Sequence, residues 1–159
     1  MGDGRTKTTT MTLESPAFQE GQPIPQKYAY EPEGQNISPP LKWEGAPEGT
    51  SSLALIVDDP DAPRDEPWVH WVVYGIPATA RGLPEDEVGA AKVGANTWEE
   101  LGWGGPLPPE RHGPHRYVFT LYALDREPAL EPGATKGELL SAMRGHVLGE
   151  ARLVGTYER

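Results

Sequence analysis

Six side chains that can do chemistry stand where apolar runs begin or end. Asp58 and Asp59 close the run SLALIVDD, and Asp61 follows in DPDAP between Pro60 and Pro63. His70 lies near the start of WVHWVVYGIP, and His115 and Tyr117 open HRYVFTLYAL after the loop GGPLPPERHGP. Imidazole and phenol groups donate hydrogen bonds to phosphate or carboxylate oxygens. Carboxylates beside them repel a bare anion, but they suit a ligand that carries an ammonium next to its phosphate, or they keep an imidazole cationic. Prolines around the acids fix the backbone and hold the carboxylate directions at little entropic cost.

Each feature also has a plainer reading. The acids could form a solvated Asx-type turn at a sheet edge. His70 could be a core histidine satisfied by its surroundings, and Arg116 could pair with a surface acid where its loop crosses the sheet. What separates the readings is whether the strands lie side by side. If they do, acids, two histidines and a tyrosine meet in one pocket.

Two other chemistries can be weighed. An Asp–His pair could serve a small hydrolase as general base, but the chain has no cysteine and no serine in a nucleophile-elbow context. A metal site could draw on His70, His112, His115 and an Asp; His112 and His115 have a ligand-like spacing, yet they lie on a loop without a second pair to fix the geometry. Neither a metal nor a cofactor is expected.

The elements that must position these groups are mostly strands. MTLESPAF reads as a first short strand, and Pro39–Pro40 in GQNISPPLKW excludes helix there. The continuous apolar run in SLALIVDD predicts a strand covered on both faces. WVHWVVYGIP and RYVFTLYALD read as further strands, and ARLVGTYE as a closing one. Alternation places His70 on the face of Val72 and Tyr74, away from Trp71 and Val73. Residues 81–114 read as loop. TKGELLSAMRGHV predicts a helix, with Thr135 and Glu138 as a capping box and Leu139, Leu140 and Met143 as its apolar stripe.

Composition agrees with many turns between short strands: the chain of 159 residues has 18 prolines and 19 glycines. A flexible segment over residues 1–10 and a single β-dominated domain over 11–159 are expected. The formal net charge of −10 repels nucleic acid and anionic lipid surfaces. The first residues contain no long apolar segment, so neither a signal peptide nor a membrane span is expected, and a cytoplasmic location follows as the default.

Taken in order, GQNISPPLKW, LALIVDDPDAP, WVHWVVYGIP, GGPLPPERHGPHRYVFTLYAL and ARLVGTYE resemble the phosphatidylethanolamine-binding protein family, in particular its bacterial, Raf-kinase-inhibitor-like branch. The resemblance runs from about residue 11 to the carboxyl end. It implies a β-sandwich of two antiparallel sheets with one or two short helices near the carboxyl end, and a bacterial source. It further implies a pocket for phosphate, phosphoryl headgroups or carboxylate-like anions, built from Asp59, Asp61, His70, His115 and Tyr117 and rimmed by the loop at Pro106. Asp58 has no part in that pattern. Regulation through ligand-dependent protein contacts belongs to the same expectation. Homodimers are implied too, with Trp98 and Trp103 as exposed aromatics for an interface. Cis bonds are implied at Ala62–Pro63 and Glu66–Pro67, and at least one is expected. Arg111 stands where many relatives have glycine, so the local loop path is left open. Eukaryotic members continue into a helix beside the pocket mouth, whereas this sequence ends at Arg159; kinase inhibition and long-chain lipid binding are therefore not implied.

Overall fold

The computed structural model describes residues 11–159; the segment 1–10, expected to be flexible, lies outside the described residues. The strands are β1 (Thr12–Glu14), β2 (Leu41–Glu44), β3 (Ser52–Asp59), β4 (Trp68–Pro77), β5 (Gly82–Leu83), β6 (Lys92–Val93), β7 (His115–Leu124) and β8 (Val147–Tyr157), with one α-helix, α1 (Lys136–Met143). They form two antiparallel sheets, β1-β2-β5 and β6-β4-β3-β7-β8.

The large sheet is covered on both faces, as the unbroken apolar run of β3 requires. On one face, Leu55, Val57, Trp71, Phe119 and Leu121 pack with Leu13, Leu41, Trp43 and Leu83 of the small sheet. On the other, Ala54, Ile56, Val72 and Tyr74 pack with Leu139 and Met143 of α1. Residues one apart on β3 therefore belong to different cores, which is the period-2 rule expressed in a central strand.

The helix is shorter than its sequence pattern suggests. Thr135 and Glu138 form the capping box with both reciprocal hydrogen bonds. Leu139 and Met143 are buried one turn apart, while Leu140 is 37 % exposed and lies off the stripe. Gly145 takes a φ of 84° and His146 N–H donates to the Met143 carbonyl. The chain then enters β8 at Val147, earlier than ARLVGTYE indicates. Within 81–114, read as loop, β5 and β6 are two-residue strands, too short to leave a period in sequence.

Two irregularities in the β3–β4 ladder matter for the site. Register shifts fall between Leu53 and Leu55 and between Val57 and Asp58, so Val57 pairs with Trp71 but Asp58 pairs with Val69. His70 is the extra residue of the second bulge, and such a bulge re-aims a side chain. This corrects the expectation from alternation. His70 does not join Val72 and Tyr74 against the helix; its ring meets Tyr117, a member of the inter-sheet core, at 5.0 Å.

The turn after β3 holds no cis bond. Ala62–Pro63 and Glu66–Pro67 are both trans, and the cis bond among the described residues is Glu31–Pro32. Hydrogen bonds close the reversal instead: Asp61 N–H donates to Asp59 Oδ1 at 2.7 Å, and Arg64 N–H to the Ala62 carbonyl at 2.7 Å.

Tyr74 ties the helix side to the sheet. Its hydroxyl donates to the Glu131 carbonyl at 2.6 Å and accepts from Ala134 N–H at 3.1 Å. Tyr74→Phe leaves both backbone groups without that partner, so a loss of about 1–3 kcal/mol in urea unfolding is expected. Amide exchange at Ala134 should accelerate in the variant; an unchanged midpoint and unchanged exchange would show that water replaces the hydroxyl.

Candidate functional site

The carboxyl end of β3, the start of β4 and the start of β7 come together at one edge of the sandwich. Between them lies a cavity of about 240 Å³ walled by Asp59, Trp68, His70, His115 and Tyr117, with Trp98, Leu107 and Pro108 from the long loop.

Asp59 is 3 % exposed and both its oxygens are used. Oδ1 accepts from Asp61 N–H at 2.7 Å, and Oδ2 accepts from His115 Nδ1–H at 2.6 Å. With Nδ1 donating, a neutral His115 carries its lone pair on Nε2, and that atom lies 2.6 Å from His112 Nδ1. The far nitrogen of His115, which the expected pocket would leave facing the cavity, is instead occupied by a second imidazole. The two rings share one proton: His112 Nδ1–H donates when His115 is neutral, and the direction reverses when His115 is protonated.

His70 is held differently. Nδ1–H donates to the Gly104 carbonyl at 2.6 Å, and Gly104 N–H returns a bond to the His70 carbonyl at 2.8 Å. That fixes the tautomer and leaves Nε2 as an acceptor; among the described residues this nitrogen has no hydrogen-bond partner. Burial pushes the His70 pKa down to about 4, against an ordinary 6.5, with the bonds to backbone at Gly104 and Gly105 opposing the shift. The imidazole is therefore neutral at neutral pH. Gly104 must be glycine, since a Cβ there would stand 2.4 Å from the Trp98 ring. Trp98 packs edge-on to His70 at 5.3 Å and stacks on Tyr30 at 4.3 Å.

Among the described residues two buried polar atoms here, Trp68 Nε1 and the Tyr117 hydroxyl, have no partner in good hydrogen-bond geometry, although the hydroxyl lies close enough to Asp59 for that carboxylate to act on it. Burial first, and the negative charge of Asp59 second, hold the Tyr117 phenol protonated well beyond its ordinary range. A buried donor without an acceptor is costly, by about 1–3 kcal/mol, and marks a position where something from outside the chain can bond.

The remaining expected site residues are placed outside the cavity wall. Asp61 turns onto Arg116: its Oδ2 accepts from the Arg116 backbone N–H at 2.8 Å and from Nε at 3.0 Å, and its Oδ1 accepts from an Arg116 terminal nitrogen at 2.8 Å. These bonds pull the Asp61 pKa down to about 2. Pro106 is buried behind the wall, its carbonyl accepting from Tyr30 N–H at 3.0 Å, while the next residues, Leu107 to Pro109, form the rim. Asp58 pairs with Lys136 and ties the end of β3 to α1. Trp68 escaped the sequence reading because an indole before a strand looks like core; its place next to Pro67 at the entrance of β4 was the available signal.

Neither alternative chemistry gains from this geometry. The Asp59–His115 pair has the order of an orienting acid and a base, but Nε2, the atom a base would use, faces His112. No serine, threonine or cysteine lines the cavity. Of the three histidines weighed as metal ligands, His112 and His115 bond each other ring to ring, and the described residues hold no cluster of three His, Cys, Asp or Glu side chains suited to a metal ion. Trp98 and Trp103, expected as exposed aromatics, are half-buried. Trp98 walls the cavity, and Trp103 donates to the Tyr28 carbonyl and packs on Trp71 and Phe119.

The depressed His70 pKa has a consequence for stability. The unfolded chain takes up this proton near pH 6.5 and the folded chain only near 4. Between those values the unfolded state binds more protons, so stability falls as pH falls. The full loss is about 3 kcal/mol at 1.36 kcal/mol per pH unit. Urea midpoints measured across this window should drop more steeply for the wild type than for His70→Phe; parallel slopes would remove His70 as the cause.

Comparison with known proteins places this geometry in a family. The family model for phosphatidylethanolamine-binding protein matches residues 14–158. A UPF0098 protein of Methanothermobacter thermautotrophicus is 49 % identical over 155 residues, covering 94 % of this chain and 99 % of its own. Among solved structures, a phosphatidylethanolamine-binding protein homologue from Chlamydia trachomatis superposes with a TM-score of 0.88 at 44 % identity, over 95 % of this chain and 99 % of that one. YbcL of Escherichia coli, described as a member of the mammalian family, gives a TM-score of 0.88 at 32 % identity, over 94 % and 98 %. With the family model spanning nearly all the described residues, the chain belongs to the phosphatidylethanolamine-binding protein family.

Proposed function

We propose that this chain is a binding protein for a small phosphoryl or carboxylate group, taken either as a free anion or as the headgroup of a larger molecule, in the cavity at the end of β3, β4 and β7. The observation that carries the reading is the convergence of His70, His115, Tyr117 and Trp68 on one cavity, with Trp68 Nε1–H buried there without an acceptor among the described residues. An oxyanion supplies several acceptor lone pairs in a small volume, so one group can meet more than one donor. Apolar walls from Trp98, Leu107 and Pro108 exclude water and strengthen those bonds.

The family description, phosphatidylethanolamine-binding protein, is an analogy that points the same way. A regulatory role fits the rim, because the segments at Ala62–Pro63 and Leu107–Pro109 would contact both a bound group and any partner protein seated over it. Competition between ligand and partner is the mark of that role.

Calorimetry with inorganic phosphate and with phosphoethanolamine tests the reading. Both ligands should bind the wild type, and Tyr117→Phe, which removes one donor and keeps the ring, should weaken binding by about 1–1.5 kcal/mol. No binding to the wild type, or equal binding by the variant, would overturn the proposed site.

A further inference from the structure

The hydrogen-bonding inventory of the cavity differs from that of a site for a fully ionised oxyanion. No lysine or arginine lines it, and its one formal charge is the negative Asp59. His115 has no proton to offer a ligand: Nδ1–H goes to Asp59 and Nε2 to His112. His70 presents an acceptor, because the Gly104 carbonyl takes the proton side of its ring. Among the described residues the ring acceptor offered to a ligand is His70 Nε2; the donors around it are the indoles of Trp68 and Trp98, the Tyr117 hydroxyl, which also lies within reach of Asp59, and the backbone N–H groups of Ala62 and Leu107.

Resting on the reading above, we propose that the group this cavity selects is an oxyacid that still carries one acidic hydrogen, such as a phosphate monoester in its monoanionic form, in preference to the dianion. Its hydrogen is donated to His70 Nε2, and its free oxygens accept from Tyr117 and Trp68. A dianion has no hydrogen for His70 and places lone pair against lone pair there. It also sets two charges beside the Asp59 carboxylate in a place of low dielectric, where like charges repel strongly.

Arg64 stands over the Trp68 ring at 5.1 Å and its charge favours every anion alike; the other groups that could mimic such a preference are few. Asp59 faces the cavity from β3, His115 and Tyr117 from β7, and His112 stands behind His115. The loop segment packed on His70 contributes Trp98, which has no charge. Asp61 is paired with Arg116 outside the wall. A positive charge on either His112 or His115 would favour any anion, with or without an acidic hydrogen. The test must therefore compare two monoanions that differ in that hydrogen.

Methyl phosphate and methyl sulfate form such a pair. A phosphate monoester loses its second proton near pH 6, whereas a sulfate ester keeps one charge and no acidic hydrogen throughout. Titrating both into the wild-type protein at about pH 5.5 and about pH 8, methyl phosphate should weaken by roughly 80-fold, following its monoanion fraction. Methyl sulfate should change at least tenfold less. His70→Phe, which removes the acceptor, should lose the advantage of methyl phosphate over methyl sulfate at the lower pH.

The same pH dependence for both ligands, or tighter binding of methyl phosphate at the higher pH, would overturn the preference while leaving an anion site in place. Failure of both ligands to bind would remove the site itself, and the preference with it. Should His70→Phe not fold, the two-ligand comparison on the wild type still decides.

Discussion

A single buried carboxylate, Asp59, holds the end of the large sheet together. A carboxylate removed from water is tolerated only where its oxygens are bonded, and both of these are, one by the Asp61 N–H of the following turn and one by His115 of the neighbouring strand. The same group thus ends β3, closes the reversal into β4 and fixes the first residue of β7. Asp61 repeats the device two residues along, gripping the backbone and the guanidinium of Arg116. The two acids of DPDAP staple the turn to the start of β7. Pro60 between them and Pro63 after them supply stiffness, so little freedom remains to be lost when the bonds form.

This staple decides the character of the cavity. A committed carboxylate in the wall makes the local potential negative, in a molecule whose formal charge is already −10. Any affinity for an oxyanion must then come from oriented neutral dipoles, not from cations. The structure follows that logic: the Tyr117 phenol is held protonated by burial and by Asp59. His70 is held neutral by burial. In a cavity walled by indole and proline such dipoles are worth more than in water, because no solvent competes for them.

The framework of this site was readable in the sequence, and its details were not, for physical reasons. The apolar runs bounded by turn residues marked β3, β4 and β7 as strands, while their adjacency was a condition that pattern left open and the resemblance implied. Asp59, His70, His115 and Tyr117 then had to share one end of the sheet. The face of His70 was misjudged because a bulge adds a residue without leaving a mark in the alternation. Asp61 was assigned to the pocket by analogy, while its own neighbour in space, Arg116, takes all its bonds. His112 carried only a metal-ligand reading, since its contact with His115 depends on the path of a loop, which no periodicity encodes. The indoles of Trp98 and Trp103 were read as surface for the same reason.

That loop path has a local cause. Arg111 takes a φ of 61°, the left-handed conformation that glycine adopts freely and that costs other residues roughly 1–2 kcal/mol. The position where the sequence departs from the expected glycine is thus one where the backbone still asks for glycine geometry. It persists because the loop is held from outside itself. Arg111 N–H donates to the Arg159 carbonyl at 3.1 Å, and Arg159 Nε donates to the Pro108 carbonyl at 2.7 Å. Pro108 walls the cavity on one side of this strained residue, and on the other side His112 caps His115. The residues that follow β8 therefore set both the rim of the cavity and the partner of its buried histidine. Through Arg159 the rim is coupled to Glu33, 3.6 Å from a terminal nitrogen of its guanidinium. The cavity is shaped by contacts among segments far apart in sequence, and its shape is stable only because those segments brace one another.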